Sequence, residues 1–274
     1  MGMIEALRLQ LEWGADEALL EAAQDRRVSS AAVVLPVAAA RDAPPAPATR
    51  TVARGGAHPA PQGAAQAERI AAGCTTLEAL REAMAGFTGC ALRDTATQLV
   101  FGDGAEDARL VIVGEAPGAE EDRAGRPFIG QAGQLLDRML GSIGLDRTRV
   151  RIVNTVPWRP PGNRAPTEGE IAMCVPFLRR QIALVRPGGL LALGAVAAKA
   201  LLGEAERSQG IRRLRGRWQE VEIPGLDAPL PCLPSYHPAY LLRMPSAKAE
   251  AWLDLLALRD WIENGVTGKN TTKT

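Results

Sequence analysis

From residue 75 onward, short apolar runs alternate with longer segments of helical period, and no other feature of the chain restricts its fold so sharply. The runs at 110–113, 150–153, 190–193 and 232–234 are too short for helices and are bounded by turn residues, which marks them as buried strands. Between them, residues 131–143 place Leu135, Leu136, Met139, Leu140 and Ile143 on one helical face. Thr167 and Glu170 form a capping-box pattern ahead of Ile171, Cys174, Phe177, Leu178 and Ile182. A last helix is expected over 247–263. Strands that alternate with crossover helices form a mostly parallel sheet covered on both faces, so the expected class is α/β.

The N-terminal part reads differently. Leucines and alanines recur at helical spacing over 4–23, giving an expected helical appendage at 1–27. Ala, Pro, Arg and Gly then dominate, and too few branched or aromatic side chains follow to offset the entropy of ordering, so 28–70 is read as a flexible linker and 266–274 as a disordered tail. With 46% hydrophobic residues in 274, the rest has material for one sizeable core. The net charge of +1 gives no global basic field, so a nucleic-acid partner would have to be met by a local patch. Four scattered cysteines without a secretory leader point to a reducing, cytoplasmic home, and no apolar run reaches the roughly 20 residues that span a bilayer.

In open parallel sheets ligands bind beyond the carboxyl ends of the strands, so the residues after each apolar run carry the most information. The first run enters Gly114-Glu115-Ala116-Pro117-Gly118, the second ends at Asn154, and the last leads into Ser235-Tyr236-His237-Pro238. A carboxylate, a carboxamide and an imidazole therefore converge on one rim. Taken singly, each has a plainer reading: Glu115 as a solvated loop charge, Asn154 as a turn residue, Phe128 as a core aromatic and His237 as a structural histidine. Their convergence favours a site. No Gly-Lys-Ser or Gly-Lys-Thr follows the glycines of 122–133, and 114–118 lacks dinucleotide-binding spacing, so nucleotide cofactors are not expected. Basic residues outnumber acidic ones between Arg151 and Arg217, most densely at Arg212, Arg213, Arg215 and Arg217, which suits a phosphate backbone.

Together, GEAPG at Gly114, EDRAGRPFIG at Glu121, NTVPWRPPGNRAP at Asn154, LGAVA at Leu193 and SYHPAYLLR at Ser235 resemble the family 4 uracil-DNA glycosylases, in the family's order. The resemblance spans about 75–263 and implies a glycosylase domain at 75–265, a three-layer αβα sandwich around a four-stranded parallel sheet. It further implies that Gly114, Glu115 and Ala116 line the base, Phe128 stacks on it, Asn154 reads its edge and His237 faces its O2. Glu115 is the candidate to hold or polarise the attacking water, with Glu121 or Asp122 in reserve; Ala116 stands where other branches of the superfamily place a catalytic aspartate. Arg159, Arg164, Arg215, Tyr240, Leu241 and Arg243 are the expected DNA contacts. Tyr240, Leu241 or Leu242 would serve as the wedge that fills the gap left by the flipped base.

The chain departs from the family in one respect. Many members bind a four-iron cluster through four cysteines, and the matching positions here are Phe87, Cys90, Trp158 and Cys174. With two ligands replaced by large apolar side chains, no cofactor or metal is expected, and Phe87 and Trp158 should form an apolar plug. No histidine lies between Asn154 and Cys174, so the covalent capture of DNA used by a related branch is not expected either. Uracil-containing DNA is the expected partner of a monomer, with a repair or replication protein docking through the N-terminal helix and linker. Two alternatives stay open: a glycosylase for hypoxanthine or xanthine, and a non-catalytic module that recognises uracil or DNA.

Overall fold

A computed structural model describes residues 60–203 and 208–264, all within one compact unit, Gly55–Thr274. Its strands are β1 (Asp103–Gly104), β2 (Leu110–Gly114), β3 (Val150–Asn154), β4 (Gly189–Leu193), β5 (Gln219–Val221) and β6 (Leu230–Ser235). The helices used below are α1 (Ala60–Gly73), α2 (Leu77–Gly86), α3 (Leu92–Thr95), α4 (Ala119–Ala124), α5 (Gln131–Gly141), α6 (Glu168–Val185), α7 (Gly194–Leu201), α8 (Ile211–Leu214), α9 (Pro238–Arg243) and α10 (Lys248–Asn264).

The strands form one sheet in the order β1-β3-β2-β4-β6-β5. Its four central strands are mutually parallel, as expected, but the sheet has six strands rather than four. The additional pair, β1 and β5, lie antiparallel on the two edges. At two and three residues they are too short to print a periodicity.

Side-chain alternation divides the core between the two faces of the sheet. Ile112, Ile152 and Leu233 pack with Leu136 and Leu140 of α5 and with Leu258 and Trp261 of α10. Val111, Val113, Val153 and Leu190 face the other way, onto Leu178 and Ile182 of α6 and Ala197, Ala198 and Leu201 of α7. A one-residue slip of β2 would exchange these two sets, so packing on both faces fixes the register that delivers Gly114 to the rim. The expected capping box opens α6: Thr167 Oγ1 accepts from the Glu170 amide at 3.3 Å, and the Glu170 carboxylate accepts from the Thr167 amide at 2.7 Å.

The expected linker needs correcting at its end. Residues 60–70 belong to α1, whose Ala67 and Ala71 are buried beside α2 and α6. Alanine has the highest helix propensity, and its small side chain lets one helix lie close on another, so a segment poor in branched residues can still pack. The expected appendage, the remainder of the linker and the tail fall outside the described residues.

Candidate active site

The site is built at the point where β2 and β3 end side by side, with Gly114 paired to Asn154. The chain then turns over this rim, and Thr155 fastens it by donating both its amide and its hydroxyl to the Gly114 carbonyl, each at 2.9 Å. A Cβ on Gly114 would stand 2.5 Å from Asn154 Oδ1 and 2.5 Å from the Phe128 ring, so only glycine lets those two groups approach. They face a cavity of about 490 Å³, also lined by Glu115, Ala116, Arg164, His237, Tyr240 and Arg243. Sequence reading placed Glu115, Asn154 and His237 at one rim and the family resemblance added Phe128, and the structure brings all four into one cavity.

Asn154 is only 7% exposed, and its Oδ1 is buried without a hydrogen-bond partner among the described residues. Buried polar atoms are nearly always paired, so an orphan on a residue that lines a cavity is a candidate acceptor for a ligand donor. Phe128 forms the opposing wall, with its backbone at φ 55°. That conformation costs an aromatic residue about 1–3 kcal/mol, a cost that the surrounding structure must offset.

His237 leaves β6 and caps α9, its Nδ1 accepting from the Ala239 amide at 3.1 Å. A neutral imidazole that accepts at Nδ1 carries its proton on Nε2. Burial, reinforced by the Arg243 guanidinium, holds its pKa down to about 4, so the ring is neutral near pH 7. It lies 5.4 Å from Phe128, stacked at 30°. The LGAVA motif explains how the ring fits: Gly194 has φ 90°, and a Cβ there would come within 3.1 Å of the His237 Cβ.

The three candidate carboxylates separate clearly. The Glu121 carboxylate accepts from the amides of Gly118, Ile129 and Gly130 at 2.9–3.1 Å, which consumes it as a loop staple. Asp122 is buried and accepts from the Thr97 amide and hydroxyl, each at 2.8 Å. Glu115 has no hydrogen bond to its carboxylate among the described residues; burial raises its pKa and Arg243 opposes that rise. The two reserve carboxylates are therefore structural. Sequence could not rank them, because the ranking depends on where loop 125–130 and the segment at Thr97 fold back.

The expected DNA contacts divide in the same way. Arg164, Tyr240 and Arg243 line the cavity. Arg164 also forms a two-pronged pair with Glu170 at 2.6 and 2.8 Å, which lowers the Glu170 pKa to about 2. Arg159 donates to Asn163 Oδ1 at 2.7 Å, bracing the Pro160–Asn163 loop. Two expectations are corrected. Leu241 is 1% exposed within the core, whereas Leu242 is 38% and Met244 47% exposed. Arg215 is held against the buried Asp254, which also accepts from Ser235 Oγ at 2.7 Å, so its charge serves the fold. In a one-turn helix, spacing does not tell which of two adjacent leucines faces inward.

Phe87, Cys90, Trp158 and Cys174 do meet, all buried in one cluster. Phe87 sets its ring edge-on to Phe177 at 5.1 Å. The neighbouring Cys174 thiol lowers the Cys90 pKa to about 7, while that of Cys174 rises. Two rings and two thiols do not fit a four-iron cluster, and among the described residues no group of three or more His, Cys, Asp or Glu is placed to hold a metal.

Comparison with known proteins agrees with this geometry. The profile of the Uracil DNA glycosylase superfamily matches residues 101–256. The chain is 40% identical over 180 residues to the type-4 uracil-DNA glycosylase of Pyrobaculum aerophilum, a match covering 65% of this chain and 91% of that protein. It is 42% identical over 162 residues to the type-4 uracil-DNA glycosylase of Archaeoglobus fulgidus, covering 59% and 80%. To that of Thermotoga maritima it is 41% identical over 167 residues, covering 61% and 83%.

Proposed function

The chain belongs to the uracil DNA glycosylase superfamily and, within it, to the type-4 uracil-DNA glycosylases, and on that basis we propose how its cavity takes uracil from DNA. It is a DNA glycosylase of DNA repair, releasing uracil by hydrolysis of the N-glycosidic bond. The observation that supports the pocket assignment most directly is the orphan Oδ1 of Asn154.

A carboxamide offers an acceptor to the uracil N3–H and a donor to its O4, whereas cytosine presents the opposite polarity and would leave both groups unpaired. Deoxyuridine reaches this depth only when flipped from the stack. Phe128 stacks on the base, while Gly114, Glu115 and Ala116 line it. As the bond from C1′ to N1 breaks, the sugar becomes cationic and the base takes the electron pair as an anion. The Nε2–H of neutral His237 donates to O2, where the new charge gathers. Glu115 holds the water that attacks C1′ and receives its proton, a task suited to a carboxylate with raised pKa and no hydrogen bond of its own. Arg159, Arg164 and Arg243 track the phosphates, and Leu242 fills the vacated gap.

The chain works without the iron-sulfur cluster, because Phe87 and Trp158 occupy the volume two ligands would need. Protein purified without air should carry no stoichiometric iron; about four irons per chain would contradict this. Its four cysteines are unpaired thiols, which supports action in the reducing cytoplasm. Among the described residues no helix is long and apolar enough to cross a membrane.

The functional test uses excess protein with an end-labelled oligonucleotide bearing one uracil, followed by alkali to break abasic sites. Breaks at the uracil that fall steeply in His237→Ala support the reading. Intact strands with binding retained would turn the cavity into a recognition site without catalysis.

A further inference from the structure

Phe128 is held in place by a residue outside the cavity, and we propose that Arg147 is a positioning residue for the uracil-stacking ring. The inference rests on the functional reading above and deepens it.

Arg147 belongs to the turn before β3 and is not among the cavity-lining residues. Its guanidinium reaches the strained segment at two consecutive carbonyls: Nη1 donates to Pro127 at 3.1 Å, and Nη2 donates to Phe128. The guanidinium is itself anchored, since Nη1 pairs with Asp103 at 2.8 Å and Nε with Asp137 at 2.8 Å. A planar fork held by two carboxylates has little freedom, so the carbonyls it binds are fixed in direction as well as position.

The other half of the clamp acts on the amides that follow. Glu121 Oε1 accepts from Ile129 at 3.0 Å and from Gly130 at 2.9 Å. Residues 127–130 are thus gripped by a cation on their carbonyls and an anion on their amides, with Phe128 between at φ 55°. Gly133 completes the seat, because any Cβ there would overlap the Phe128 carbonyl. An aromatic residue holds such a backbone only when its surroundings over-determine it. Glu121 also lines the cavity, so its removal would disturb the site directly, whereas Arg147 acts only through the segment it grips.

Stacking is made in the ground state and in the transition state alike, so loosening it should weaken binding more than it slows the chemical step. The test is a double-mutant cycle in single-turnover excision, with Arg147→Met, Phe128→Ala and the double variant compared with wild type. Arg147→Met should raise the half-saturating enzyme concentration about 10-fold while the plateau rate changes less than about threefold. In the Phe128→Ala background it should add nothing. Unchanged half-saturation, or a full additive effect in that background, would overturn the proposal. If Arg147→Met does not fold, Arg147→Lys takes its place: it keeps the charge but loses the fork, and wild-type behaviour would again overturn the proposal. A wild-type protein that leaves uracil uncut would be a different failure, removing the functional reading and this inference with it.

Discussion

His237 is neutral near pH 7 because it is buried beside the Arg243 guanidinium, and that arrangement has a thermodynamic consequence. The unfolded chain takes up a proton there near the ordinary 6.5, while the folded protein resists protonation until about 4. Stability from this group is therefore complete above pH 6.5 and declines as pH falls toward 4, by up to about 3 kcal/mol. Melting curves of wild type and His237→Gln should diverge across that window, with wild type losing more; parallel curves would show the imidazole to be unperturbed. His237 and Asn154 were legible in the sequence because the topology sends every parallel strand end to one rim. The roles of Glu121 and Asp122 were not legible, since a carboxylate next to a catalytic motif looks identical whether it staples a loop or faces substrate. The Phe87 and Trp158 plug was legible as a departure from a four-cysteine pattern, although only the fold shows the two rings and two thiols buried in one cluster.

At the scale of elements, α9 connects the imidazole to the surface proposed to meet DNA. Its first turn is capped by His237, and Leu241 anchors it in the core. Leu242 and Met244 are left exposed at its far end. A wedge matters only where a base must be displaced from a duplex, because an unpaired strand has no stack to repair. Leu242→Ala should therefore reduce excision from double-stranded DNA about 10-fold, by loss of a few kcal/mol or less of inserted apolar contact, and leave single-stranded excision nearly unchanged. Equal losses on both substrates would assign Leu242 to packing. The four buried strands could be read from their short apolar runs, and helices α5, α6 and α10 from periodicity because each is long enough to display it. The edge strands β1 and β5 could not, and α1 was hidden in composition, since its alanines read as linker until they are seen packed against α6.

For the molecule as a whole, a net charge of +1 leaves no long-range attraction to DNA, so the rim must supply its own. Arg164, itself paired with Glu170, and Arg243 line the cavity and are the proposed source, while Arg215 is held by the buried Asp254. The same economy applies to polar groups: Thr97, Thr155 and Ser235 satisfy buried partners, whereas the Asn154 Oδ1 has no hydrogen-bond partner among the described residues. The claim that this carboxamide reads uracil is tested most directly by single-turnover excision at saturating protein. Wild type and Asn154→Ala would be compared on otherwise identical oligonucleotides carrying uracil or cytosine. The predicted result is a loss of about 100-fold on uracil in the variant, the worth of a buried hydrogen-bond pair, with cytosine untouched by wild type. Uracil excision by Asn154→Ala at the wild-type rate would contradict it.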